Sequence, residues 1–285
     1  MPLWSLFSGM PHSGGRSARR WVGAFAVLVA VLAPPSRAAE PVDPWQSPIA
    51  PDRPGAATSP SVLDRGVFQI ETAFESQTVR PVDAPDARTE DFPTLLRLGV
   101  GHRVELRLES NTVSVAEAVT GLADMSIEAK WLALDQPNGA VPSVGFMPAV
   151  SLPTGSSQFT AGKVQASLAG LFEWTLHSGT SLTLDANASH AVEESDAPYE
   201  WQLGSQAAFQ IPLRREWAVG GDAFVTAPLV DGSSAPWGLD AGVEYYPNPE
   251  TQLDVTLIQT MTEPGTTTAV QLGFSRRFGA ERTQQ

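Results

Sequence analysis

The chain has 285 residues, 42% of them hydrophobic, with no cysteine and a formal net charge of −13. The lack of cysteine excludes disulfides, thiolate nucleophiles and thiolate metal sites, and the acidity excludes the basic face that a nucleic-acid partner requires. No uninterrupted apolar run reaches the roughly 18 residues of a spanning helix, so any membrane crossing falls to strands.

Residues 21–33 (WVGAFAVLVAVLA) follow Arg16, Arg19 and Arg20 and precede Pro34-Pro35 and Ser36-Arg37-Ala38. A basic region, a short apolar core and a small-x-small site describe a secretory signal peptide over residues 1–38, cleaved after Ala38. Cleavage removes four arginines and no acids, leaving 14 basic against 31 acidic residues, a net charge near −17.

Residues 39–65 are rich in proline and carry little periodicity, so they have no core of their own. Fully extended, about 27 residues reach some 90 Å. This leader is either a disordered periplasmic tail or a plug that re-enters a lumen, where Arg53 and Arg65 would meet acidic groups.

From Val67 the pattern becomes strict alternation. In residues 68–75 (FQIETAFE), Phe68, Ile70 and Phe74 share one face and Gln69, Glu71 and Glu75 the other. Residues 104–110 (VELRLES) repeat the pattern. Period two is the strand signal. Twelve such strands are predicted, near 67–76, 92–100, 103–110, 124–134, 141–152, 164–176, 180–191, 199–211, 217–226, 237–246, 252–260 and 268–278. The number is even, as bacterial single-chain barrels require. Short turns at 101–102, 135–139, 177–180, 213–216 and 247–250 alternate with longer polar loops at 77–91, 111–123, 153–163, 192–198, 227–236 and 261–267. Outer-membrane barrels combine short periplasmic turns with long external loops.

The two faces of these strands differ sharply. One carries Glu71 and Glu75, Arg97, then Glu105, Arg107 and Glu109, then Glu128 and Lys130. Glu173, Asp185, Glu200, Asp222, Asp240, Glu244 and Asp254 continue it. So polar a face is expected to line a lumen and meet water. The other face is aliphatic between two aromatic girdles. Phe68, Trp131, Trp174, Phe209, Trp217, Tyr245 and Phe278 fall at the short-turn rim, and Phe74, Tyr199, Trp201 and Trp237 toward the other. Two girdles about an aliphatic band describe a lipid-facing surface. The fold class is therefore all-β: a transmembrane, up-and-down antiparallel β-barrel of about twelve strands over residues 66–278, with a tail at 279–285. Its place is the bacterial outer membrane, and its partners are the lipid of that membrane, the barrel-assembly machinery and small-molecule solutes.

The lumen charges have two readings. Arg97, Arg107, Lys130 and Arg277 pair with acids as a structural ladder, or the excess of acids makes a cation-favouring conduit. A catalytic reading fails on geometry: Ser189 and His190 are adjacent, as are His177 and Ser178, so on a strand their side chains point to opposite faces. No phosphate loop, metal-ligand spacing or cofactor signature is present, and catalytic, cofactor and metal sites are all expected to be absent.

Six stretches in order resemble an outer-membrane transporter family named for the meta-pathway of phenol degradation. They are Asp52-Arg53-Pro54, residues 66–71 (GVFQIE), 95–108 (LLRLGVGHRVELRL), 124–130 (DMSIEAK), 151–156 (SLPTGS) and 272–278. The resemblance implies a channel for hydrophobic or aromatic compounds and brings no catalytic residues. The chain departs from that family's pattern at His102-Arg103, where an Asp-Arg pair is usual, and in carrying GAERTQQ beyond the terminal aromatic. The alternative function is a closed structural barrel that binds a partner through its loops or leader.

Overall fold

The computed structural model describes residues 49–116, 119–136, 139–192, 198–228, 235–262 and 265–279. The signal peptide, residues 39–48 of the leader and residues 280–285 of the tail lie outside them.

The strands are β1 (Phe68–Pro81), β2 (Ala87–Gly99), β3 (Val104–Ala116), β4 (Val119–Gly121), β5 (Met125–Leu134), β6 (Ser143–Leu152) and β7 (Gln165–Thr175). There follow β8 (Ser181–Ala191), β9 (Glu200–Arg214), β10 (Trp217–Pro228), β11 (Trp237–Asn248), β12 (Thr251–Thr262) and β13 (Gly265–Phe278). Twelve of them form an up-and-down antiparallel barrel that closes where β1 pairs with β13, Phe68 opposite Phe278. The short β4 folds back on the end of β3 and stands outside the ring. Closure leaves no open sheet edge, which a bilayer requires because lipid cannot satisfy free backbone groups. The shortest barrel strands have 10 residues, within the roughly 9–11 that a tilted crossing needs.

Two details differ from the sequence expectation. The β12–β13 connection is only residues 263–264, with Thr262 opposite Gly265, where a longer loop over 261–267 is predicted. Likewise the 77–91 loop contracts to residues 82–86, because Thr78 pairs with Arg88 and Val79 with Ala87. Threonine and valine are β-branched and extend a ladder that their polar neighbours disguise.

The outward rows are apolar and exposed all round the ring, with Leu106 at 45%, Leu168 at 54% and Leu272 at 53% of full exposure. A closed sheet has nothing else to cover such a band, so its solvent is lipid.

The inward rows correct the expectation of a wet wall. Arg97, Lys130, Glu71 and Glu105 are at 0–1% exposure. They are covered by one another and by leader residues 49–66, which run inside the barrel. Ile49 donates its amide to Pro249 O (2.6 Å) in the β11–β12 turn and packs on Ala218 and Tyr246. Ala56 lies against Phe224, Ile258 and Ala269 on β10, β12 and β13. The segment then returns to the short-turn end, where Gly66 N donates to Gly99 O (2.8 Å) and β1 begins. At the deepest point Gly55 has φ +98°, and a Cβ there would lie 2.4 Å from Asp222 Oδ2. Glycine meets both demands. Wall glycines make room in turn. A Cβ on Gly99 would lie 2.0 Å from Asp64 O, one on Gly145 3.0 Å from Pro60 Cβ, and one on Gly242 3.2 Å from Pro54 Cγ.

Candidate functional site

The inward residues of four adjacent strands come into register as one charged belt. Arg97 on β2 faces Gln69 on β1 and Arg107 on β3, Arg107 faces Glu128 on β5, and Glu105 faces Lys130. The Arg97 guanidinium grips Glu105 bidentately, Nε to Oε1 at 2.8 Å and Nη2 to Oε2 at 3.0 Å, and reaches Glu71 Oε1 at 2.9 Å through Nη1. Arg107 Nε donates to Glu128 Oε2 at 2.6 Å. Planar forks suit this role, since each donates in two directions while staying charged.

Asp52 of the leader enters the belt at its centre. Its Oδ2 accepts from Lys130 Nζ at 2.8 Å and from Arg107 Nη1, and lies 3.4 Å from Arg97 Nη1. Burial pushes the Asp52 carboxyl upward, but the three cations outweigh that and hold it well below the ordinary carboxylate range. The Asp52 amide donates to Glu71 Oε2 at 3.0 Å.

The rest of the leader is fixed by wall carboxylates and amides. Arg53 Nη2 donates to Gln271 Oε1 (2.9 Å) and Asp254 Oδ1 (3.3 Å), and Gln252 Nε2 donates to Arg53 O (3.0 Å). Gln271 in turn donates to Glu75. The amides of Ala56 and Ala57 share Asp222 Oδ2 at 2.5 and 2.9 Å. Thr58 N donates to Asp185 Oδ2 (2.6 Å) and Leu63 N to Glu105 Oε2 (2.8 Å). An irregular segment inside a barrel has no ladder to absorb its N–H groups, and here the acids of the wall accept them. Much of the lumen's acidity therefore serves the leader, beside the ion pairs of the belt. Arg65 stays exposed at the mouth and takes no place on the wall.

Of the other inward acids, Glu109 lies beside Glu128 of the belt, whereas Asp240 and Glu244 bond elsewhere. Asp240 Oδ1 accepts from Asp222 N at 3.2 Å, and Glu244 accepts from Gln210 Nε2 at 2.7 Å and from the Tyr246 hydroxyl. Glu173 accepts from Thr183 Oγ1 at 3.4 Å. Glu109, Glu173, Glu200 and Asp240 are only half-buried.

Outward, Phe68 stacks on Phe278, Trp131 meets Phe146 and Trp217 meets Tyr245 at the short-turn end, centroids 4.7–6.0 Å apart. Phe209 is exposed beside them, and half-buried Trp174 donates to Ala140 O at 3.4 Å. At the long-loop end Tyr199 and Trp201 flank His190, and Trp237 is exposed. Phe74 lies near the middle of β1, because that strand runs on to Pro81. Ser189 is buried inward while His190 stacks outward, on opposite faces of β8.

Sequence reasoning missed Asp91, which accepts from Gln77 Nε2 (3.2 Å) and Ser114 Oγ deep in the lumen. It falls in a stretch taken for a loop, though its parity with Arg97 marks it as inward. Gln69 lies inward with Glu71, as its parity implies, but the lumenal amides Gln252 and Gln271 were missed, because alternation alone does not separate a lining amide from a solvated one. On the long-loop side of Glu128 a polar recess is lined by Ser126, Ser151, Gln165 and Ser189.

A family model described as "Putative MetA-pathway of phenol degradation" matches residues 51–278. Among solved structures, the COG4313 outer membrane channel from Pseudomonas putida F1 is similar, with TM-score 0.59 and 14% identity, over 76% of this chain and 97% of that one. The KdgM porin in complex with disordered oligogalacturonate gives TM-score 0.51 and 13% identity, over 74% of this chain and 99% of that one. The NanC porin gives 0.54 and 7%, over 73% and 98%. At these identities the likeness is one of fold. No curated protein matches the sequence.

Proposed function

The chain belongs to the family described as the putative MetA-pathway of phenol degradation, and from that premise we propose that it is an outer-membrane channel for small solutes whose closed state is made by its own leader. The observation that carries the reading is the seating of residues 52–63 on the lumen wall through Asp52, Arg53 and the amides of Ala56, Ala57, Thr58 and Leu63. The similarity of fold to channels and porins supports transport, and the family's name points to aromatic compounds as the solute class. On this reading the short-turn half of the lumen is shut at rest.

One observation favours a second reading, a closed structural barrel: with the leader seated, Arg97 and Lys130 of the charged belt are at 0–1% exposure. Planar-bilayer conductance of the full mature chain and of a variant lacking residues 49–65 separates the two. The channel reading expects a clear rise in conductance on deletion, with a barrel that still runs faster unboiled than boiled. Unchanged, negligible conductance from a folded deletion variant selects the structural barrel.

A further inference from the structure

Asp52 is the point at which the leader presents an acid to three cations of the wall, and those cations differ in what they would lose if it left. Arg97 keeps Glu71 and Glu105, and Arg107 keeps Glu128. Lys130 does not fare as well. Its two hydrogen-bond acceptors are Asp52 Oδ2 at 2.8 Å and Ser59 O at 3.0 Å, both from the leader, and the wall offers it Glu105 Oε1 at 3.9 Å. Withdrawal therefore takes both acceptors from the Lys130 ammonium and removes one partner from Arg107 Nη1. The leader is part of what buries Lys130, so the vacated spot is open to water and to a small anion, and an anion there regains the charged pairing that Asp52 gave.

The charge balance selects the anion. Without Asp52 the belt holds Arg97, Arg107 and Lys130 against Glu71, Glu105 and Glu128, three of each sign. That belt is neutral, so a monoanion brings it to the net −1 that Asp52 gives, whereas a dianion would carry it to −2 among three wall carboxylates. Lys130 and Arg107 already converge on one carboxylate oxygen, and Asp52 Oδ1 is buried without a hydrogen-bond partner. A planar carboxylate on a small body is the group that fits.

We infer that Asp52 occupies the seat of a monocarboxylate solute, and that such a solute, held by Lys130 and Arg107, competes with the leader and keeps the lumen open. The inference rests on the reading that leader withdrawal opens the channel. It makes opening ligand-dependent by mass action. A ligand that binds only the withdrawn state raises that state's population by a factor of 1 + [L]/Kd, on the order of tenfold at ten times its Kd.

The test is an acetate titration of the full mature chain in planar bilayers at fixed ionic strength, with acetamide as the neutral isostere and the variant lacking residues 49–65 alongside. The expected result is a saturable rise in conductance with acetate, none with acetamide, and high, acetate-independent opening of the deletion variant. If the deletion variant opens but acetate does no more than acetamide, the carboxylate seat is wrong while the plug stands. If deletion does not open the barrel, the plug reading fails and takes the seat with it. Lys130→Gln should abolish the acetate response. Should that variant fail to fold, Ala57→Cys serves in its place, as the one thiol in a chain without cysteine. Acetate should speed its maleimide labelling severalfold, and equal rates with acetate and acetamide overturn the inference.

Discussion

The two halves of the lumen are built from different chemistry. Toward the short turns the wall is charged: Arg97, Arg107 and Lys130 each bond two or more acceptors, and of the remaining acids Asp222 and Asp185 hold leader amides. Toward the long loops the buried lining is mostly neutral, with Ser126, Ser151, Gln165, Ser189, Gln206 and Thr226, and several of these are unengaged. Ser151 Oγ, Gln165 Nε2, Gln206 Oε1 and Thr226 Oγ1 have no hydrogen-bond partner among the described residues. Buried atoms unpartnered among the described residues occur beside the leader as well, at Gln69 Oε1, Gln252 Oε1 and Ser275 Oγ, so the two halves differ in charge and not in how fully their polar groups are satisfied. A count of acids on the inward face suggests a cation pathway; their partners assign them to the leader and the belt.

That contrast can be broken most forcefully at Arg97. Arg97→Met leaves Glu71 and Glu105 buried without their cation, and should cost about 3–5 kcal/mol in denaturant unfolding from detergent; a loss below 1 kcal/mol would mean that the belt is wet. Next in size is the outward face. Leu106→Arg, in the lipid-facing row, should cost about 2–4 kcal/mol, whereas an equally tolerated arginine there would deny the lipid environment. Asp222→Ala removes the acceptor of two leader amides and should weaken leader seating by about 1–3 kcal/mol. Faster hydrogen exchange at Ala56 and Ala57, with the barrel's own amides unchanged, would show it. In the neutral half, Ser151→Ala removes a hydroxyl that bonds nothing among the described residues, and its unfolding midpoint should stay within the error of the wild type.

The smallest effect concerns pH. The Asp52 carboxyl is held below its ordinary value of 3.8, so its contribution to seating is fully present above that value and is lost only as pH falls beneath it. The Asp52 share of leader protection, read as the difference between the wild type and Asp52→Asn, should therefore be the same at pH 5 and pH 8 and decline below about pH 4. A loss centred near neutrality would show that another group controls the seat.

The barrel itself was legible in the sequence, because alternation, strand length and turn spacing all act locally. Twelve strands fall within a few residues of their predicted places, and the rims of Phe68, Trp131 and Trp217 follow from the same parity. The leader was not legible in that way. Residues 49–66 have no period, and what orders them is a set of contacts more than a hundred positions away, such as Ala56 with Asp222 and Arg53 with Asp254. The residue types gave a partial signal: Asp52 and Arg53 are opposite charges in a proline-rich segment, and an acid-rich wall can hold either the arginine or the amides. Alternation also cannot tell whether an inward glutamate meets water or a guanidinium, which is why Glu105 reads as solvated until its partners are seen.

The claim that a seated leader is the closed state can be tested by locking it in place. A Cβ on Gly145 would lie 3.0 Å from Pro60 Cβ, close to the roughly 3.5–4.5 Å that a disulfide spans, and the chain has no other cysteine to interfere. The double variant Pro60→Cys, Gly145→Cys should form a disulfide in the oxidising periplasm. With acetate present its conductance should then stay at the closed level until a reductant is added, and rise afterwards. A disulfide that does not form, or one whose reduction leaves the conductance unchanged, would contradict the account.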